Sequence, residues 1–230
     1  MIEPQTTEPE AEAEPARDAL ASTATRFDLQ PGRRLFHLAN GTAVATAYAV
    51  LFTRSQVVHL FGIVACLVYI LDRVRLHYPE ISARLPWADR TFLRAEEHAR
   101  EAGATPYAIA ILLTILTFPK PVALIAIYTL AIADPLSAVV GIRFGRHRLV
   151  GRKTVEGSLA FLVATFAVAS AVLAWSTPMP LSTRLAASLV IGVVGAAVEA
   201  LPVRIDDNIT IPLGVAFVAW AACGVFGIEV

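Results

Sequence analysis

The chain has 230 residues, of which 56% are hydrophobic and 17% are charged. This apolar share is higher than that of an ordinary soluble domain, so the composition indicates a protein that uses the lipid bilayer as its solvent. The formal net charge is zero, so it says little about partners, and no nucleic-acid partner is expected. The cysteines Cys66 and Cys223 lie in apolar runs without metal-ligand spacing, which excludes a disulfide framework or a zinc site as an interpretation.

The first 30 residues carry repeated acidic side chains among alanine, proline and threonine. Such a segment cannot bury a core, and it lacks the basic region and apolar stretch of a signal peptide. We therefore predict a disordered acidic tail over residues 1–30, followed by a membrane domain over residues 31–230.

Seven apolar runs follow the tail and predict an all-α bundle of about seven transmembrane helices. Several runs are shorter than the ~20 residues that cross a bilayer, so those helices are expected to extend into flanking polar turns. The runs cover residues 38–52, 57–71, 107–118, 122–140, 159–175, 185–201 and 209–228.

The basic residues between these runs are distributed unevenly. If the amino terminus is cytoplasmic, sixteen Lys and Arg residues fall on one side of the membrane and three, Arg54, Lys120 and Arg184, on the other. Cytoplasmic loops carry such an excess of basic residues, so the pattern favours seven spans with the amino terminus inside. Within this topology, residues 72–104 alternate charged and large apolar side chains, which predicts helices lying at headgroup depth. A solvated basic loop is the simpler alternative.

Polar residues form four clusters against this background, all expected near the cytoplasmic helix ends. In the first, Arg33, His37 and Gly41 recur every four residues and Asn40 follows His37 by three, so they share a helix face. The simpler interpretation is a membrane anchor with a satisfied histidine. In the second, Asp134 lies inside an apolar run, where an unpaired carboxylate is costly and needs a metal ion or a basic residue.

The third cluster is the glycine-punctuated basic loop from Gly141 to Gly157, which precedes a helix start that can favour phosphate. The chain has seventeen arginines and two lysines, so Lys153 in this loop suggests a need for a compact ammonium group. The fourth cluster joins Glu199 to the consecutive Asp206, Asp207 and Asn208. Adjacent oxygen ligands suit Mg²⁺, although one of these residues is expected to cap the next helix.

Together these segments resemble the family of dolichol kinase, phytol kinase and the CTP-dependent diacylglycerol kinase, which is related to the phosphatidate cytidylyltransferases. The resemblance covers roughly residues 31–228. It rests on RRxxH at Arg33–His37, DxxSxxxGxxFG at Asp134–Gly145, KTxEGS at Lys153–Ser158 and EALPxxxDDNxxIP at Glu199–Pro212. Ala133 departs from the pattern, because the family usually has glycine before the aspartate.

The resemblance implies an integral membrane enzyme that transfers the γ-phosphoryl group of CTP to a lipid alcohol, with Mg²⁺ as cofactor. It assigns Asp134, Asp206 and Asp207 to the metal and Lys153 to catalysis at the phosphates. The remaining implied substrate and nucleotide contacts are Arg33, His37, Asn40, Gly145, Arg152, Thr154, Glu156, Gly157, Glu199 and Asn208.

Two alternatives remain open on sequence alone. A phosphatidate cytidylyltransferase would attach cytidine monophosphate to its lipid, although the glycine- and histidine-rich segment typical of those enzymes is missing from this sequence. A transporter or scaffold would use Asp134 and the Asp206–Asn208 turn to bind an ion without chemistry.

Overall fold

The computed structural model describes residues 31–78, 103–151, 153–203 and 205–230, and these residues fold into helices joined by short loops. The all-α prediction is confirmed for this part of the chain. The helices are α1 (Pro31–Val50), α2 (Arg54–His77), α3 (Ala104–Thr117), α4 (Lys120–Phe144), α5 (Val155–Ser176), α6 (Leu181–Ala200) and α7 (Asp207–Val225). The predicted acidic tail and residues 79–102 of the predicted interfacial segment lie outside the described residues.

Each of the seven predicted apolar runs falls on one of these helices, and five of the helices can cross a membrane by length and composition. These five are α2, α4, α5, α6 and α7, which supports a multi-pass membrane protein. Helix α1 has 20 residues but carries two arginines, a histidine and an asparagine in its first half. Helix α3 has 14 residues, a length of about 21 Å against the ~30 Å hydrocarbon core. Seven spans and the side of the amino terminus therefore stay predictions.

Helix α4 is the centre of the bundle. Its most apolar stretch is 67% buried, against 17% to 39% for the other four long apolar helices. It contacts α1, α3, α5 and α7, and every residue from Val122 to Ile127 is buried. Because it is surrounded by protein, α4 can hold polar groups that a lipid-facing helix could not.

A π-helical turn over Thr129–Ala133 interrupts α4 immediately before Asp134. The N–H group of Asp134 donates a hydrogen bond to the carbonyl of Thr129, five residues earlier. Pro135 follows at once, and proline has no N–H to donate and crowds the carbonyl four residues before it. The wider turn accommodates this proline inside a helix, and such turns are frequent at functional sites.

Glycines allow α4 and α5 to cross closely. A Cβ atom on Gly157 would lie 2.9 Å from the Ser137 carbonyl oxygen, and one on Gly141 would lie 2.9 Å from Thr154 Oγ1. Both distances are shorter than a side chain tolerates, so only glycine fits without a shift of the backbone. This crossing holds the Asp134 half of α4 against the start of α5.

Hydrogen bonds between helix ends show that neighbouring helices alternate in direction. At one end of the bundle, Thr105 at the start of α3 donates to Asp72 Oδ2 near the end of α2 at 3.2 Å. At that same end, the Asn208 side chain at the start of α7 donates to the Gly103 carbonyl at 3.4 Å. We call this the site end of the bundle, because it also holds the polar clusters described below.

The opposite end is held together by the two basic residues of its first connections. Arg54 Nε at the start of α2 donates to the Ile115 carbonyl near the end of α3 at 3.0 Å. Lys120 Nζ at the start of α4 donates to the Phe52 carbonyl beyond α1 at 3.3 Å. These basic side chains cap exposed carbonyl groups of helix ends.

The close crossing of α4 and α5 can be tested by replacing Gly157 with alanine. We expect Gly157→Ala to destabilise the protein by about 1–3 kcal/mol, the usual cost of overpacking. The matched control is Gly62→Ala on α2, where no heavy atom lies within 4 Å of the added Cβ and alanine favours the helix. Thermal unfolding of the purified protein in detergent measures both, and equal melting temperatures for the two variants would contradict the tight crossing.

Candidate active site

The loop between α4 and α5 folds back on itself to present Lys153. Leu149 N–H donates to the Lys153 carbonyl and Lys153 N–H to the Val150 carbonyl, each at 2.9 Å. Gly151 turns the chain with a φ of 57°, a left-handed conformation that glycine adopts without strain. Gly151, one of the glycines noted in the sequence, thus forms a tight turn that returns Lys153 to the start of α5.

The Lys153 ammonium lies between two carboxylates from other parts of the chain. Its Nζ atom is 2.6 Å from Glu199 Oε1 and 3.2 Å from Asp207 Oδ2. Glu199 is the penultimate residue of α6 and Asp207 is the first residue of α7. The Ser158 hydroxyl donates to the other Glu199 oxygen, Oε2, at 3.2 Å. Three helices and one loop therefore meet at a single ion-pair cluster, Lys153–Glu199–Asp207.

The environment keeps Lys153 charged. Partial burial lowers the pKa of Lys153, but the hydrogen bond and charge of Glu199, together with the charges of Asp207 and Asp134, raise it, and the raised pKa prevails. A lysine held above its ordinary pKa is fully protonated at neutral pH. It can therefore act as a fixed positive charge and hydrogen-bond donor.

Asp134 belongs to the same electrostatic neighbourhood. The charges of Lys153, Asp207, Glu199 and Arg34 all act on its carboxylate, which is partly buried on α4. The second and fourth polar clusters of the sequence thus lie together with the lysine of the third. The expectation that Asp134 pairs with a metal ion or a basic residue stays a prediction.

The first polar cluster approaches this site through α1. The charge of Arg34 acts on Asp134, and the side chain of Arg33 lies outside the described residues. Arg34 precedes His37 by three and Gly41 by seven, a helical spacing that could have identified it.

His37 and Gly41 pack α1 against the centre of the bundle. The His37 ring meets the Tyr107 ring edge-on, with centroids 4.7 Å apart. A Cβ atom on Gly41 would lie 2.6 Å from the Cβ atom of Ala131 in the π-helical turn. Asn40, in contrast, is exposed. Gly41 therefore serves the close approach of α1 to the turn before Asp134.

The consecutive residues Asp206 and Asp207 have different roles in the Asp206–Asn208 turn. Asp206 Oδ1 accepts a hydrogen bond from the Asn208 N–H at 2.8 Å and so caps α7. This confirms that one residue of the turn serves as a helix cap. Asp207 has no such bond in the cap and instead faces Lys153 at 3.2 Å.

The other predicted contacts of the loop mainly organise the loop itself. Glu156 Oε1 lies 2.8 Å from His147 Nδ1, and Thr154 Oγ1 accepts from the Gly157 N–H at 3.1 Å to cap α5. Gly145 ends α4 directly beside the Thr154 side chain. Arg152 lies outside the described residues.

The donor chemistry for Mg²⁺ is limited to a few carboxylates. Asp134 and Asp207 offer the oxygen ligands that this ion prefers, and Mg²⁺ commonly takes one or two carboxylates together with water and substrate phosphates. Among the described residues, no group of three His, Cys, Asp or Glu side chains could hold a metal alone. The predicted Mg²⁺ cofactor therefore stays a prediction.

An apolar groove of about 870 Å³ runs along α1 beside the site. Its lining includes three alanines spaced four apart, Ala39, Ala43 and Ala47, together with larger residues such as Leu35 and Ile132. Leu35 follows Arg34 directly, and Ile132 lies in the π-helical turn two residues before Asp134. One end of the groove therefore lies on the same helix turns as Arg34 and Asp134, although residues one or two apart on a helix point to different sides.

The sequence identified most residues of the site but not the hydrogen bonds that join them. Ser158 lies inside the KTxEGS motif and Glu199 begins the EALP motif, but only the fold reveals their shared hydrogen bond. The Asp72 contact with Thr105 was also missed, because neither residue belongs to a recognised motif.

The chain is similar in part to a curated enzyme. It is 37% identical over 102 residues to a phytol kinase of Synechocystis, a match that covers 43% of this chain and 43% of that protein. The matched region therefore spans less than half of the curated relative.

A second relative covers far more of the chain. An uncharacterized protein of Rickettsia prowazekii is 26% identical over 196 residues, or 81% of this chain and 91% of that protein. No family model matches the sequence, and no solved structure matches it. The comparisons thus link the chain, loosely, to membrane lipid kinases.

Proposed function

We propose that the protein is an integral membrane kinase that transfers the γ-phosphoryl group of a nucleoside triphosphate to the hydroxyl of a lipid alcohol. CTP is the donor that the motif resemblance implies, and polyprenols, phytol and diacylglycerol are the candidate acceptors. The observation that carries this proposal is the meeting of Lys153, Asp207, Glu199 and Asp134 at one end of an apolar bundle.

The chemistry of phosphoryl transfer suits this cluster. The reaction needs alignment of the two oxygens and neutralisation of phosphate charge more than covalent help from the protein. Lys153 supplies a fixed ammonium for the phosphate oxygens, and it lies just before the positive end of the α5 helix dipole. Arg152 is a proposed second phosphate contact.

The carboxylates serve the metal in this proposal. Asp134 and Asp207 would hold Mg²⁺ together with the phosphates, and Asp206, whose Oδ1 already caps α7, has its second oxygen for the same ion. The bound Mg²⁺ would neutralise charge on the phosphates. His37, Asn208 and the loop residues Thr154, Glu156 and Gly157 support the shape of the pocket.

The groove along α1 is the proposed path of the lipid chain. Its alanines leave space for a hydrocarbon chain, and one end lies on the helix turns that carry Arg34 and Asp134, from which a terminal hydroxyl would reach the phosphates. A binding surface open to the bilayer needs no aqueous route for an insoluble alcohol. The partial likeness to a phytol kinase supports a substrate of this kind.

The proposed topology has seven spans with the amino terminus and the site on the cytoplasmic face of the cell membrane. The alternating helix directions support it, because they gather the four polar clusters at the site end. The distribution of Lys and Arg supports the same orientation, since sixteen of nineteen would be cytoplasmic.

The reaction can be tested with purified protein, Mg²⁺ and a panel of lipid alcohols. CTP labelled at the γ-phosphate is expected to transfer its label to the lipid, whereas CTP labelled in the cytidine is not. Cytidine label in phosphatidate would identify a cytidylyltransferase instead. Ion flux without nucleotide turnover would identify a transporter, and either result would overturn the kinase proposal.

Replacing Asp134 with asparagine tests its role in the reaction. We expect Asp134→Asn to lower the transfer rate about 100-fold or more, the scale of losing a group that stabilises transition-state charge. The matched control is Asp72→Asn, because Asp72 is also a buried carboxylate at the site end but pairs with Arg75 at 2.7 Å. Loss of transfer in both variants would point to misfolding, and a fully active Asp134→Asn would remove this residue from the mechanism.

Filling the groove tests the lipid path. We expect Ala43→Phe to raise KM for a long-chain alcohol several-fold while leaving KM for CTP unchanged, because the aromatic ring occupies the volume of the chain. Leu60→Phe on the exposed face of α2 is the control. An unchanged KM for the long-chain alcohol in Ala43→Phe would place the lipid elsewhere.

A further inference from the structure

We propose that Glu199, supported by Ser158, is a positioning residue that holds the Lys153 ammonium in place, while Asp207 is an exchangeable partner that nucleotide phosphates replace. The exchange by nucleotide rests on the proposed function. The holding of Lys153 by Glu199 rests on geometry alone. The proposal gives Glu199 a different task from the nucleotide contact expected from the sequence.

The two carboxylates bind Lys153 unequally. Lys153 Nζ lies 2.6 Å from Glu199 but 3.2 Å from Asp207, and the Glu199 side chain is 2% exposed where that of Asp207 is 53% exposed. A short, buried, charge-assisted hydrogen bond is among the strongest in proteins. An exposed ion pair contributes little, because water solvates both groups when they separate.

Burial makes the Glu199 contact hard to break. Removing the partner of a buried charge leaves an uncompensated charge, which is strongly unfavourable. Asp207 can leave Lys153 and be hydrated at little cost. When an anion approaches the cluster, exchange is therefore expected at Asp207, and Glu199 keeps its contact.

Ser158 fixes the orientation of the Glu199 carboxylate. Its hydroxyl donates to Oε2 at 3.2 Å while Lys153 donates to Oε1, so both oxygens are engaged. The Ser158 N–H in turn donates to the Thr154 carbonyl at 2.9 Å in the first turn of α5. One helix start thus presents both the lysine, just before it, and the serine that orients the lysine's partner.

The Lys153 ammonium group has an N–H donor left for a ligand. An ammonium group has three N–H donors, and Glu199 and Asp207 occupy two of them. Phosphate oxygens can accept a hydrogen bond from the third N–H group directly. They can accept from the N–H group that binds Asp207 once Asp207 has left. Asp207 is then released, and its carboxylate becomes available at the same pocket.

The test uses the small number of lysines in the chain, Lys120 and Lys153. A Lys120→Arg background leaves Lys153 as the remaining lysine, and an amine-acylating reagent followed by peptide mass spectrometry measures how fast it is modified. No nucleotide is added in this experiment. Its result therefore stands whether or not the protein is a kinase.

The expected results separate the two carboxylates. Glu199→Gln should speed acylation of Lys153 about tenfold, because it removes a charge-assisted hydrogen bond, whereas Asp207→Asn should change the rate by about twofold or less. Ser158→Ala should give a smaller acceleration than Glu199→Gln, and Glu199→Asp should restore part of the protection. Equal acceleration by Glu199→Gln and Asp207→Asn, or no acceleration by Glu199→Gln, would overturn the proposal.

A second measurement tests the exchange and guards against a folding defect. Addition of CTP and Mg²⁺ should slow acylation of Lys153 in protein that keeps Glu199 and Asp207. In the kinetic assay, Glu199→Gln should raise KM for CTP by a larger factor than it lowers kcat. Glu199→Gln protein that keeps the wild-type melting temperature and still shows these changes reports positioning rather than unfolding. If CTP slows acylation but no phosphate is transferred to lipid, Lys153 keeps its binding role and the kinase proposal is rejected. If CTP leaves the acylation rate unchanged, the replacement of Asp207 by nucleotide phosphates is rejected.

Discussion

The partly buried ion pair of Lys153 and Glu199 is the interaction on which the candidate site depends. A charged pair at the edge of an apolar bundle is tolerated only when each charge is matched and hydrogen-bonded. Meeting that condition requires the loop after α4, the end of α6 and the start of α5 to converge, with Ser158 completing the carboxylate's hydrogen bonds at 3.2 Å. Because these elements are fixed together, Asp207 at the start of α7 also lies within reach.

Two backbone features bring Asp134 to this pair. The π-helical turn before Pro135 widens α4 where a regular helix would meet a clash. Gly141 and Gly157 then let the same half of α4 cross α5 with almost no side-chain volume between them. The glycines of the motifs therefore act through packing, and the polar residues beside them act through charge. Loss of either would separate Asp134 from Lys153.

Much of the fold follows from the apolar runs, because burial in a bilayer demands helices and leaves few alternatives. The cap at Asp206 also follows from local rules. The pairing of Lys153 with Glu199 does not, since the two are 46 residues apart and their contact depends on how three helices pack. For the same reason the sequence did not identify Arg34, whose charge acts on Asp134 in the folded bundle. The short α3 and the polar α1 show why apolar runs alone do not fix the number of spans.

Crosslinking with a photoreactive CTP analogue in the presence of Mg²⁺ tests most directly whether this cluster receives a nucleotide. The account predicts that the label falls on the Gly145–Ser158 segment and around Asp207, and that excess CTP prevents it. Labelling confined to the opposite end of the bundle, near Arg54 or Lys120, would contradict the account, as would labelling that excess CTP does not reduce.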